Sequence, residues 1–108
     1  MSPVDRASLE ARLRAEGLEP SVWSSMPGER FDEHVHDFDK VVVAVEGRIT
    51  FGLPGYGVGF LLTPGERLDL PAGANHDALV GDKGVTCFEA HLAPGTVGTR
   101  AKGRGYRW

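Results

Sequence analysis

Glycine and proline interrupt this sequence at short, regular intervals, and that punctuation constrains the fold more than any other feature. The 15 Gly and 7 Pro fall mainly at Pro27-Gly28, Gly47, Pro54-Gly55, Gly57, Gly59, Pro64-Gly65, Pro71, Gly73, Gly81, Gly84 and Pro94-Gly95. Between them lie β-rich runs of roughly five to eight residues, the spacing of a sandwich or barrel of short strands. The predicted class is therefore all-β, with one short helix at the N-terminus. A chain of 108 residues and 11.6 kDa supports one domain with a single modest core. A net charge of −3 gives no reason to expect nucleic acid or an anionic membrane as partner. Cys87 is the single cysteine, so no intramolecular disulfide can form. With no apolar run of membrane-spanning length and no signal-peptide core, the cytoplasm is the expected location.

Three segments follow from the pattern. Residues 1–20 hold the helix and a lead-in, residues 21–93 the sandwich or barrel of short strands, and residues 94–108 a Gly-rich basic tail. The helix is expected over residues 2–16, capped by Ser2 or Asp5, with Pro3 in its first turn and Gly17 ending it. Its apolar positions (Val4, Ala7, Leu9, Leu13) are sparse, which predicts a helix lying on a surface. The tail carries Arg100, Lys102, Arg104 and Arg107 with no acidic residue. It is expected to pack loosely; Tyr106 and Trp108 could stack on bases, but four charges are too few to predict nucleic-acid binding.

Within the β-rich segment, Ser21 to Met26 is a first strand, and Pro27-Gly28 turns into a central stretch ending at Gly47. Both faces of that stretch become apolar from Val41, which predicts a strand covered on two sides. Gly47 is expected to turn the chain into Ile49–Leu53, and Gly81 to Gly84 to turn it again before Val85–Leu92.

His34 and His36 lie two apart, so on a strand they project from one face. Two imidazoles side by side form half of a metal site. His76, after the tight turn Pro71-Ala72-Gly73, is the candidate for the other half. Val42, Ala44, Ala78, Val80 and Phe88 are expected to wall an apolar pocket for a small organic ligand. Cys87 reads as a small core residue. Glu89 and His91, on its face, read as a surface pair or as extra ligands, and Trp23 and Phe31 as core or rim packing.

Two spaced segments resemble the paired motifs of the cupin superfamily. The first motif is a Gly, five residues, HxH, three or four residues, a Glu, six residues and a Gly; Gly28, His34, His36 and Gly47 match it. The second is a Gly, five residues, PxG, two residues, a His, three residues and often an Asn; Gly65, Pro71, Gly73 and His76 match it. The resemblance covers roughly residues 21 to 92 and implies a cupin jelly-roll-like β-barrel. It further implies His34, His36 and His76 as ligands of a divalent transition metal (Fe, Zn, Ni, Cu or Mn), a small-molecule ligand, and a homodimer.

Two positions depart from the motifs. Val80 replaces an Asn, and Lys40 replaces the Glu ligand, exchanging an anionic oxygen for a cation. Three readings of Lys40 follow. The three His bind metal unaided, with Lys40 turned aside or neutral while it tunes charge or shuttles a proton. Alternatively the site is metal-free and Lys40 serves an anionic ligand or acts as a base or Schiff-base nucleophile. In the third, Lys40 marks decay to a structural barrel. The functional expectation is a metal-dependent oxygenase, isomerase or decarboxylase acting on a small organic substrate. Its alternative is a non-catalytic binding or sensor barrel.

Overall fold

The computed structural model describes residues 5–108. Helix α1 (Arg6–Ala15) is followed by seven strands: β1 (Ser21–Ser25), β2 (Arg30–His34), β3 (Asp39–Leu53), β4 (Val58–Leu62), β5 (Arg67–Leu70), β6 (His76–Leu92) and β7 (Lys102–Arg104). All strand pairs are antiparallel. The two long strands, β3 and β6, pair along most of their length and each contributes to two layers. Their halves Asp39–Gly47 and Val85–Leu92 combine with β1, β5 and β7, while Ile49–Gly52 and His76–Val80 combine with β2 and β4.

The expected turns at Gly47 and at Gly81 to Gly84 are instead irregularities inside these strands. The β3–β6 register shifts between Ala44 and Glu46 and again between Gly47 and Ile49. Gly47 has φ +70°, the left-handed conformation that lets an extra residue enter a ladder without ending it. The consequence is a change of inward parity. Val42 and Ala44 face the inner core before the shift, and Ile49, Phe51 and Leu53 face it afterwards. In β6, His76, Ala78 and Val80 are buried before the irregularity, and Val85 and Cys87 after it.

The alternate positions Val41, Val43 and Val45 pack with Phe88 and Ala90 in a second cluster under Leu9, Leu13 and Leu18. Thus the doubly apolar run is covered on both sides, as its sequence predicts. Helix α1 does lie on the outside of the sheet, but Leu9 and Leu13 are fully buried beneath it. Asp5 caps it, its Oδ1 accepting from Ser8 N at 2.9 Å. The other proposed cap, Ser2, lies outside the described residues, as does Pro3.

The tail is not loosely packed. Its β7 pairs with β5, and Trp108 donates from Nε1 to the Gly65 carbonyl at 2.8 Å. The Arg12 and Arg67 guanidiniums lie 4.0 and 4.9 Å from the Trp108 ring centroid, within cation–π range. Arg67 also bridges Glu16 of the helix end and Asp69 of β5 at 2.7 and 2.6 Å. Charge alone hid this, because the tail is held by its Trp108, which takes cations from the helix and β5, and by Arg104, which reaches Asp69 of β5 at 3.3 Å. Among the described residues, no helix is long and apolar enough to cross a membrane.

Candidate metal centre

His34 and His76 face one another as direct partners across β2 and β6. That position brings antiparallel side chains closest together. The β2–β6 register shifts between Phe31 and His34, so the odd-numbered Phe31 and the even-numbered His34 both reach the same cavity. The chain leaves β2 at His34 and re-enters strand geometry at Asp39, so the central stretch is two strands rather than the one expected. His36 sits in that break, its carbonyl accepting from Gly73 N at 2.8 Å. This bond ties the segment bearing the first two His to the turn that precedes the third.

The imidazole nitrogens of His34, His36 and His76 converge, with one ligand atom from each lying within 4.8 Å of the others. Two tautomers are fixed by the backbone. His34 Nδ1 lies 2.6 Å from the Asp32 carbonyl and His76 Nδ1 lies 2.9 Å from the Ala74 carbonyl. A carbonyl can only accept, so both Nδ1 atoms carry a proton, and in the neutral ring the lone pair is left on Nε2. His76 Nε2 is buried and has no hydrogen-bond partner among the described residues. An unsatisfied buried acceptor in a polar cluster calls for a ligand or water, and an imidazole steered from its far nitrogen is the usual setting of a metal ligand.

Electrostatics favour the neutral ring at His76 and His36. Burial, with the Lys40 charge and the other two imidazoles adding to it, lowers the His76 pKa to about 4 against the pull of the Ala74 hydrogen bond. His36 is lowered as well, by burial first and then by Lys40 and His34.

Solved structures with the same chain path were found at low sequence identity. A cupin-2 domain protein from Shewanella frigidimarina aligns with a TM-score of 0.57 and 19% identity, covering 68% of each chain. The cupin fold is the fold of this chain. A structure reported with DMSP lyases aligns at a TM-score of 0.64 and 23% identity, over 82% of this chain and 43% of the other. Oxalate decarboxylase from Bacillus subtilis aligns at 0.57 and 18% identity, over 71% of this chain and 21% of the enzyme. This chain therefore spans less than half of the lyase structure and about a fifth of the decarboxylase chain. No protein-family model and no curated protein matches the sequence.

In the cupin frame the unusual residue is Lys40, and the structure supplies its context. Lys40 is buried in the cavity wall, and its Nζ lies 3.5 Å from Glu89 Oε1. Glu89 is not a surface residue. Its carboxylate also accepts from Trp23 Nε1 at 3.0 Å and from His91 Nε2 at 2.6 Å. Burial would raise the Glu89 pKa, but the Lys40 ammonium and the bonds from His91 and Trp23 outweigh it and hold the carboxyl below its usual range. Cys87, with its thiol pushed up to about 12 by burial, is the core residue its sequence suggests.

The cavity holds about 620 Å³. Its walls differ from those expected. Ala78 lines it, while Val42, Ala44 and Val80 lie in the core cluster and Phe88 turns to the helix side. Trp23, Phe31, Phe38, Ile49 and Phe51 take their place. Phe38 stacks between His36 and His91, with ring centroids 4.7 and 4.2 Å away. One signal for Glu89 was present in the sequence. It lies two residues from Cys87, and a core assignment for Cys87 turns Glu89 inward by the same parity.

Proposed function

We propose that His34, His36 and His76 hold a divalent transition metal, and that the cavity beside them binds and transforms a small organic molecule. The observation that carries this reading is the buried His76 Nε2, without a hydrogen-bond partner among the described residues and aimed into a three-imidazole cluster. The donor set fits the group: three neutral nitrogen ligands are a recurrent arrangement for zinc and related ions, with coordination positions left open. Such an ion supplies Lewis-acid polarisation or a redox centre when bound.

The chain's own residues provide the rest. The Asp32 and Ala74 carbonyls orient two imidazoles. The aromatic wall limits water at the reacting centre, and Lys40 places a cation where charge can be stabilised or a proton moved. The fold neighbours support chemistry of this kind without fixing it, since a decarboxylase described with Mn(II) centres and a lyase share the barrel. An oxygenase, isomerase or decarboxylase reaction fits the site. The alternative, a non-catalytic binder, draws on the placement of Lys40 in the cavity wall and would show saturable binding without turnover.

Cobalt(II) tests the reading because its visible absorption reports coordination directly. Titration of chelator-treated protein is expected to give ligand-field bands that saturate at one ion per chain and vanish in His34→Ala and His76→Ala. Bands of equal intensity in the variants, or none in the parent protein, would contradict it.

A further inference from the structure

We propose that the pocket is selective for a small organic monocarboxylate with an apolar or aromatic body, its carboxylate gripped by Lys40 next to the three imidazoles. The proposal deepens the functional reading above and rests on the same cavity, but it does not depend on a metal being bound.

Lys40 carries the argument. Its side chain is nine-tenths buried, with 10% relative exposure, and it lines the cavity. An ammonium has three donors and no acceptor. Its single ion-pair contact among the described residues is Glu89 Oε1 at 3.5 Å, well beyond the ~2.7–2.9 Å of a charge-assisted N–H···O bond.

Glu89 cannot easily close that gap. Oε1 already accepts from the Trp23 indole and Oε2 from His91, at 3.0 and 2.6 Å. Trp23 belongs to β1 and Glu89 and His91 to β6, the strand paired with β3 at Lys40, so both carboxylate oxygens are already held by donors from β1 and β6. Lys40 is thus a buried cation with donors to spare, and burying a charge without full compensation is unfavourable. An anion entering the cavity supplies the missing acceptors.

The class of anion follows from the neighbours. Glu89 stands next to the same ammonium, so a second negative charge on the ligand would be repelled in a site of low dielectric. This favours one carboxylate over a dicarboxylate or a phosphate dianion. The remaining wall is apolar: Trp23 and Phe31 meet edge to face at 6.2 Å, and Phe38, Phe51 and Ile49 continue it. A cavity of about 620 Å³ is within the range that encloses a small organic molecule.

Benzoate and its uncharged isostere benzamide are suitable probes, measured by calorimetry on chelator-treated and on zinc-loaded protein. Benzoate is expected to bind the chelator-treated protein at least about tenfold more tightly than benzamide, the scale of a hydrogen-bonded charge pair. Lys40→Met should remove that preference, weakening benzoate about tenfold while leaving benzamide unchanged. Three results would each overturn the proposal: equal affinity for the two probes in the parent protein, benzoate affinity within about twofold in Lys40→Met, or no saturable benzoate binding below about 10 mM. Circular dichroism checks that the variant folds. If Lys40→Met does not fold, Lys40→Gln replaces it, and the benzoate–benzamide comparison in the parent protein stands by itself. Failure of the metal reading would register separately, as absence of zinc uptake, with the chelator-treated comparison intact.

Discussion

The His76 imidazole is held in a place where a proton is costly. Burial comes first among the causes, followed by repulsion from Lys40, His34 and His36, and together they bring its pKa from 6.5 to about 4. A base whose folded pKa lies below its unfolded one binds fewer protons when folded, so stability rises with pH across that interval. Stability from this group is therefore complete above about 6.5 and is lost as pH falls toward about 4. The loss is on the order of 3 kcal/mol in metal-free protein; His36, lowered in the same direction, adds to it. Urea unfolding of chelator-treated protein at a series of pH values between those limits should show this slope, and His76→Gln should flatten most of it. An unchanged slope in the variant would assign the effect to other groups. At this scale the three-His cluster was legible, because the spacing of His34 and His36 and the turn before His76 can be read directly. The Lys40–Glu89–Trp23 contact was not, because it joins residues from three strands whose inward faces depend on irregularities between them.

The strand irregularities decide which side chains meet. Gly47 illustrates the physics, since the sequence alone suggests a turn and the structure uses it inside a continuous strand. A Cβ placed there would lie 2.0 Å from the Gly84 carbonyl oxygen and 2.9 Å from its carbon, both backbone atoms. Neither can swing away as a side-chain tip can, and φ +70° disfavours any L side chain. Gly47→Ala should destabilise the fold by about 3 kcal/mol or more. Gly28 provides the control, because it has φ +72° but a Cβ there would meet nothing within 4 Å. Gly28→Ala should cost about 1 kcal/mol. Denaturant midpoints compare the two. Equal losses would mean that backbone conformation alone matters and that the close approach of β3 to β6 does not. Strand existence was legible from Gly and Pro spacing; strand continuity was not, because a bulge and a turn use the same residue types. The docking of β7 against β5 was illegible for a different reason, since three residues of low apolar content carry no strand signal of their own.

Across the whole molecule, two long bent strands carry one set of side chains to the cavity and another to the helix. Val42, Ala44, Ile49 and Phe51 serve the inner core, and Val41, Val43 and Val45 the outer one. The cavity opens against the inner core, with the three imidazoles on β2, on the β2–β3 connection and at the start of β6. The all-β class could be read from the chain because it rests on local patterns, and the barrel because two spaced motifs resemble those of the cupins. The position of the helix over a dedicated second core, and the packing of the tail against it, depend on long-range contacts that no local pattern encodes. The central claim is that this architecture exists to present three nitrogen lone pairs to one metal ion. The most direct test is metal content per chain, by plasma mass spectrometry, of untagged protein purified without chelator and of its His76→Ala variant. A near-stoichiometric transition metal in the parent protein, lost from a folded variant, is the result expected. Parent protein that stays metal-free after incubation with Fe, Zn, Ni, Cu and Mn in turn would contradict the claim.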